Sequence, residues 1–384
     1  MNVVWLASWF PNRTNTTTGD FIERHAKAVA PYVQQLSIIA VVKDESMAAG
    51  TQQIITTVNG NCTTYIAYYG KGKWGKLFEK IYSVKKYIYL QQTVFNIIKK
   101  KCGLPNIVHV HVAMKAGLFA VKIKKKYGIK YLLTEHWTGY YHTAIPNLHT
   151  MGLYFRQATK RVFKHAALFL PVTKHLANTV SNAVYTLPYL VVPNVVDTSI
   201  FKYAPLPQQV FTFIHVSYLN DQKNIEGMLQ ACSIVAAKGI CFKLNLVGSL
   251  NKTVIQNATA LKLLNKYVFV QDAVPYTQVP SLMQASNALL MFSKFENLPC
   301  VILEALCCGL PVITTKVGGI DEVINESNGI FVPSKNVAAL AVAMEQMIKN
   351  EVNFNTSTIA NKASSMFNYK IIGQSIYQQY QLLR

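Results

Sequence analysis

Apolar residues along the chain gather into short β-branched and aromatic runs separated by segments with helical spacing. In the first half, residues 2–7 (NVVWLA), 35–42 (QLSIIAVV), 62–69 (CTTYIAYY), 107–112 (IVHVHV), 130–134 (KYLLT), 167–172 (ALFLPV) and 189–194 (YLVVPN) read as strands. The second half repeats the rule at 211–217 (FTFIHVS), 241–248 (CFKLNLVG), 267–272 (YVFVQD), 287–293 (NALLMFS), 310–315 (LPVITT) and 329–333 (GIFVP). Strands alternating with helices imply parallel sheets covered on both faces. A chain of 384 residues exceeds the usual size of one core. The reading is therefore two α/β domains, 1–195 and 196–367, punctuated by Pro193-Asn194 and the polar stretch 203–209. A final helix over 368–384 returns, in such an architecture, to the first domain.

The segment SKFENLPCVILEALCCGLPVITTKVGGIDEVINE, residues 293–326, carries the most chemistry. Good helix formers run from Pro299 to Cys308, and Gly309-Leu310-Pro311 stops them before a short strand. Glu296 then lies in the loop before the helix and Glu304 about a turn and a half inside it, so both can face one ligand at the helix N-terminus. Free N–H groups there favour an anion such as a nucleoside diphosphate. Gly318-Gly319 adds a loop where a sugar or phosphate can come close to the backbone.

This pattern resembles the E-x7-E segment of the retaining GT-B glycosyltransferases of family 4, the group 1 enzymes. The resemblance is strongest over 211–332 and weaker over 1–30 and 107–140. It implies a GT-B fold, two Rossmann-like domains facing each other across a cleft, with the acceptor held by the first domain and a nucleotide diphosphate sugar by the second. It implies that Glu296 contacts the donor sugar and Glu304 the ribose, with Asn297, Leu298 and Pro299 completing the donor loop. Lys223, in the turn VSYLNDQKN, matches the family lysine that neutralises the pyrophosphate, but Tyr218 stands where the family has an arginine. Gly19 matches a family glycine loop near the donor phosphates or the acceptor, and is taken as donor-binding. His111, ending the strand IVHVH, matches the histidine beside the reacting sugar, while His109 reads as a buried, satisfied side chain. Glu135, His136 and Trp137 end the next strand at the ligand-binding edge and read as acceptor-side contacts. The implied chemistry is hexosyl transfer with retention and without a metal or other cofactor.

Gly70-Lys71-Gly72-Lys73-Trp74-Gly75 matches G-x-G-x-x-G, but no acidic residue lies between Glu79 and Glu135 to hold a dinucleotide ribose. It reads as a basic loop. No Asp-x-Asp pair, serine elbow or zinc-helix motif is present. Seven scattered cysteines without paired spacing argue against a disulfide framework and point to a reducing cytoplasm.

Charge separates the halves. Residues 1–190 hold 24 Lys+Arg against 6 Asp+Glu, and residues 191–384 hold 14 against 11. An anionic partner for the first half follows, and nucleic acid, an anionic membrane face and a phosphorylated acceptor all qualify by charge; with the family resemblance, no nucleic acid is expected. Trp74, Leu77, Phe78, Ile81, Val84 and Ile88 recur at helical spacing among Lys73, Lys76, Lys80, Lys85 and Lys86. That reads as an interfacial helix whose stripe packs inward while its lysines face lipid. The expected function is a peripheral enzyme of cell-surface polysaccharide synthesis on the inner membrane face, acting on a saccharide or lipid-linked acceptor. The alternatives are a non-catalytic basic nucleic-acid or membrane-binding module on a decayed fold of this type, and a nucleotide-sugar epimerase.

Overall fold

The computed structural model describes residues 1–72, 75–205 and 210–384, and within them not the side chains of Lys76, Leu77, Phe78 and Lys80. The chain forms two compact units, Met1–Pro193 with Tyr369–Arg384, and Asn194–Asn368. Each is built on one sheet.

In the first unit the elements run β1 (Asn2–Ala7), α1 (Asp20–Val29), β2 (Gln35–Lys43), β3 (Gln52–Asn59), β4 (Cys62–Tyr69), α2 (Gly75–Cys102), β5 (Ile107–His111), α3 (Gly117–Tyr127), β6 (Tyr131–Glu135), α4 (Leu153–His165), β7 (Leu168–Pro171) and α5 (Lys174–Ala183). The strand order is β3-β4-β2-β1-β5-β6-β7, parallel except for the β3–β4 hairpin. Helices cover both faces, so strands such as β1 and β5 are buried on both sides almost throughout. Right-handed crossovers put α2, α3 and α4 side by side on one face and α1 on the other. The first turns of these helices therefore lie at the carboxyl edge of the strands.

The second unit runs β8 (Thr212–Val216), α6 (Ile225–Ala237), β9 (Lys243–Val247), α7 (Lys252–Ala260), β10 (Val268–Gln271), α8 (Val279–Gln284), β11 (Ala288–Met291), α9 (Cys300–Cys307), β12 (Val312–Thr315), β13 (Gly329–Val332), α10 (Val337–Ile348) and α11 (Thr356–Phe367). Its order is β10-β9-β8-β11-β12-β13, every pairing parallel. The last helix, α12 (Tyr369–Leu383), packs on α1 in the first unit. Gly373 makes this possible, because a Cβ there would stand 2.0 Å from the Ala28 carbonyl oxygen.

Three expectations change. Residues 189–194 form no strand: Leu190 and Val192 donate to the carbonyls of Phe169 and Pro171, so the segment only runs beside β7, bracketed by Pro188 and Pro193. Strand β3 was not expected, since it is an edge strand exposed along most of its length and lacks an apolar run. Its signal is Gly60-Asn61, the two-residue hairpin loop that Gly60 opens at φ +57. The third change concerns α2. Lys73 and Trp74 lie outside the described residues, while Ile81 and Val84 are 56% and 44% exposed rather than packed inward. The buried stripe is instead Tyr87, Leu90, Val94, Phe95 and Ile98, one register further along, where α2 covers β2 and β4.

Candidate functional site

Both sheets reverse their winding direction between two neighbouring strands, β1 and β5 in the first unit and β8 and β11 in the second. Loops leaving the carboxyl ends of such strands diverge and leave a crevice. Gly19, Lys223 and Glu296 through Pro299 fall in these loops, His111 ends β5, Glu304 lies on α9, and Glu135, His136 and Trp137 lie at the end of β6 and in the loop after it; each unit assembles its own set.

In the second unit, the loop after β8 supplies Gln222 and Lys223, and the loop after β11 supplies Glu296 through Pro299. Lys223 Nζ lies 2.5 Å from Glu296 Oε1, and Gln222 Nε2 donates to Glu296 Oε2 at 3.2 Å. Both members of the ion pair are largely buried. The loops are also tied through backbone: Lys294 N–H donates to the Gln222 carbonyl, and Gln222 Nε2 to that of Phe295. Asn194 holds the Leu298 carbonyl at 2.8 Å. Pro299 caps α9, and Glu304, buried on that helix, accepts from Tyr276 Oη at 3.1 Å. Gln222 and Tyr276 are thus part of the site though unmarked in the sequence; Gln222 sits beside an expected lysine, whereas Tyr276 leaves no local signal.

Gly318 meets the protein's own backbone. It has φ +59, and a Cβ there would meet the Glu296 carbonyl oxygen at 1.9 Å, while Gly319 N–H donates to the Asn297 carbonyl. The close approach is made by the protein's own donor loop, which the glycines brace. Lys316, at the start of the same loop, pairs with Asp321 at 3.3 Å.

A test of the ion pair follows from its burial. Lys223→Ala leaves Glu296 enclosed without its counter-charge and is expected to lower the stability of the Asn194–Asn368 unit by about 3 kcal/mol. Urea unfolding followed by far-UV circular dichroism measures it. An unchanged midpoint would mean that Gln222 alone satisfies the carboxylate.

In the first unit, four histidines meet behind the carboxyl edge: His25 on α1, His109 and His111 on β5, and His136 after β6. His109 is satisfied. Trp5 Nε1–H donates to Tyr380 Oη at 3.0 Å, so the phenol proton points to His109 Nδ1 at 2.7 Å, leaving Nε2–H to donate to Thr134 Oγ1 at 2.8 Å. Its neighbour His111 differs. Its ring lies 4.0 Å from that of Trp5 and 4.2 Å from that of His109, fully buried, and neither nitrogen has a partner among the described residues. Buried polar atoms are normally paired, so this unpaired imidazole stands out among the groups at the loop edge. Burial pushes both rings down, His109 to about 3 and His111 well below the ordinary value, so both are neutral at pH 7. The His136 ring lies tilted against Phe21 at 4.3 Å and near-parallel to His111 at 6.5 Å.

Glu135 is fully buried and its two oxygens accept from four donors: His136 N–H, Trp137 N–H, Ala113 N–H and Tyr140 Oη. Burial raises its pKa against these four bonds. In this fold it fastens the loop after β6 to the turn after β5, where Val112 is held at φ 64. Trp137 lines a cavity of about 170 Å3 together with Trp9, Met114, Tyr140, Met151 and Phe155. Gly139 admits the indole, since a Cβ there would overlap it at 2.0 Å. Gly19, at φ +71 before α1, packs on the Trp9–Phe10 backbone, where a Cβ would approach to 2.7 Å. Its glycine is required by that contact.

Comparison with known proteins agrees with this layout. Residues 197–365 match the model for glycosyl transferases group 1, and residues 59–200 the model for glycosyltransferase family 4. The chain is 22% identical to a putative teichuronic acid biosynthesis glycosyltransferase, TuaC, of Bacillus subtilis, over 99% of this chain and 98% of that one. In structure it resembles sucrose-phosphate synthase from Thermosynechococcus elongatus, with a TM-score of 0.80 at 16% identity over 100% and 99% of the two chains. It also resembles Anabaena HepE in complex with UDP-glucose, with a TM-score of 0.71 at 16% identity and full coverage of both.

Proposed function

From the membership of this chain in the group 1, family 4 glycosyltransferases of GT-B fold, we propose that it moves a hexose from a nucleotide diphosphate sugar to a saccharide or lipid-linked acceptor in cell-surface polysaccharide synthesis. The observation that carries the reading is the buried Lys223–Glu296 pair at the switch point of the second sheet, with Glu304 on the adjoining helix. A diphosphate entering the loop after β8 takes over the Lys223 ammonium, and the released Glu296 carboxylate accepts hydroxyl protons of the sugar. Glu304 accepts from the ribose. Asn297, Leu298 and Pro299 form the wall of the sugar pocket, and Gly19 belongs to the donor side of the first unit.

The transfer proceeds by front-face substitution. The anomeric C–O bond to the β-phosphate breaks, the acceptor oxygen bonds to the same face of that carbon, and the acceptor proton passes to the departing phosphate oxygen. Configuration is retained. Lys223 stabilises charge growing on the diphosphate, helix N–H groups add to it, and no metal is needed. His111, neutral and short of partners, orients the reacting sugar, while His136 and Trp137 face the acceptor over the scaffold held by Glu135. The catalytic reading is favoured over a decayed binding module because the polar groups of the second unit are assembled rather than lost.

The relative most informative about the donor is HepE, with its bound UDP-glucose. UDP and UDP-glucose are the first probes in a thermal-shift panel of nucleotide sugars, where a true donor at 100 times its Kd raises stability by about 2.7 kcal/mol. Turnover with that donor is expected to give a product of unchanged anomeric configuration by NMR, at a rate that chelation with EDTA leaves alone. An inverted product, or a rate restored only by a divalent cation, would overturn the mechanism. The enzyme works in the cytoplasm against the anionic inner membrane face, where its acceptor resides; among the described residues no helix is long and apolar enough to cross a membrane.

A further inference from the structure

Between Glu79 and Asp197 the sequence has seventeen lysines and arginines and one acidic residue, Glu135. That carboxylate is fully buried and taken up by four donors. The exposed surface built from residues 80–196 therefore has cations and no carboxylate of its own to neutralise them. Four of these cations lie on α4. Its buried positions, Ala158, Thr159, Val162 and Phe163, face α3 and the sheet, with Gly117 on α3 admitting Val162. The opposite side of the helix carries Leu153, Tyr154, Arg156, Gln157, Lys160, Arg161 and Lys164, all exposed. None of the four cations makes an ion pair among the described residues. Lys124 at the end of α3 donates to the His165 carbonyl at 2.8 Å and extends the same face. The His165 imidazole registers this crowding: burial lowers its pKa first, then Lys124, Lys125, Arg161 and Lys164.

The apolar residues of this face are placed at one end. Leu153 is 64% and Tyr154 68% exposed in the first turn of α4, and Ile145, in the loop leading to it, is 92% exposed. That end lies at the carboxyl edge of the sheet. Met151 and Phe155, flanking the exposed pair in sequence, turn the other way and line the cavity with Trp137, whose walls are apolar apart from Glu135 and the Tyr140 hydroxyl. One turn of chain thus presents apolar side chains outward and roofs a mostly apolar cavity inward.

We propose that the outer face of α4 is the membrane-docking surface of this protein, with Leu153 and Tyr154 entering the headgroup region of an anionic bilayer, Arg156, Lys160, Arg161 and Lys164 on its phosphates, and the Met151–Phe155 cavity receiving the apolar end of a lipid-linked acceptor. The proposal rests on the lipid-linked acceptor reading above and moves the contact from α2 to α4. Apolar insertion and charge attraction act together on such a surface, each basic residue near the headgroups strengthening binding severalfold.

The test is co-sedimentation of the full chain with vesicles of phosphatidylglycerol and phosphatidylcholine, against phosphatidylcholine alone. Wild type is expected to bind only the anionic vesicles and to be released by salt. Arg156→Gln/Lys160→Gln/Arg161→Gln/Lys164→Gln is expected to weaken binding roughly 100-fold and Leu153→Ser/Tyr154→Ser at least about tenfold, with unchanged thermal transitions. Ile81→Ser/Val84→Ser/Lys85→Gln on α2 is the control and is expected to bind as wild type. If that control loses binding while both α4 variants keep it, the α4 surface is wrong and the membrane reading stands. If wild type ignores anionic vesicles at low salt, the membrane reading falls and takes this surface with it. Loss with the four glutamines but none with Leu153→Ser/Tyr154→Ser would mark a site for a soluble polyanion such as nucleic acid and overturn the bilayer assignment.

Discussion

Glu296→Gln is expected to reduce transfer by roughly 10²–10³-fold while binding nucleoside diphosphate at least as well as wild type, the loss being that of one preorganised charged group at the reacting sugar. The direction of the binding effect comes from the ion pair. In the ligand-free protein Glu296 holds the Lys223 ammonium at 2.5 Å, so the diphosphate must compete with a buried carboxylate for it. Glutamine keeps the shape and can still meet Gln222, but it no longer competes by charge. Glu304→Ala is expected to do the reverse and weaken nucleotide binding by about 1.5–3 kcal/mol, the range for a hydrogen bond to a charged group. Calorimetric titration with UDP, or whichever diphosphate the panel selects, separates the two. Equal losses of affinity in both variants would sink the division of labour between the carboxylates.

Acid is expected to unfold the first unit before the second. Burial holds His25 near pKa 4 and His109 near 3, with His111 and His136 well below their ordinary value, whereas the second unit has His215, lowered to about 4. An unfolded histidine titrates near 6.5. Between pH 6.5 and about 4 the unfolded chain therefore binds more protons than the folded one, and stability falls as pH falls. Each such histidine contributes a slope approaching 1.4 kcal/mol per pH unit once below its unfolded value, so four in one unit amount to several kcal/mol by about pH 5.5. Glu135, its pKa raised by burial, opposes the trend as one carboxyl against four imidazoles. All four tryptophans lie in residues 1–193, so their fluorescence reports the first unit while far-UV dichroism reports both. A fluorescence midpoint that does not precede the dichroism midpoint on lowering the pH from 7.5 would show that the imidazoles charge without unfolding.

The fold was legible because parallel strands buried on both faces must be continuous apolar runs, and twelve of the thirteen runs marked in the sequence contain observed strands. The edge strand β3 escaped because solvent, not a core, meets its side chains. Residues 189–194 misled because an apolar run between two prolines resembles a strand, yet forms only scattered bonds to β7. On α2 the helical spacing was visible, but two apolar stripes compete within it, and only the position of β2 and β4 decides which is covered. The motif residues of the second unit could be found by their spacing around one helix start.

Sequence alone therefore determined what depends on short-range pattern: two alternating α/β halves, the helix carrying Glu304, the loop carrying Glu296, and the basic bias of the first half. Tertiary structure decided what depends on distant segments meeting. Lys223 lies 73 residues from Glu296 and pairs with it, because β8 and β11 are neighbours at a winding reversal. Tyr380 from the last helix satisfies His109 and leaves His111 unpaired, a distinction that alternation on one strand cannot make. Glu135 proves to be a buried brace at the wall of the Trp137 cavity, since four donors converge on it only after β5, β6 and the turn at Tyr140 come together. Periodicity identifies which face of an element is apolar; which groups remain free for chemistry is settled only when every other partner is in place.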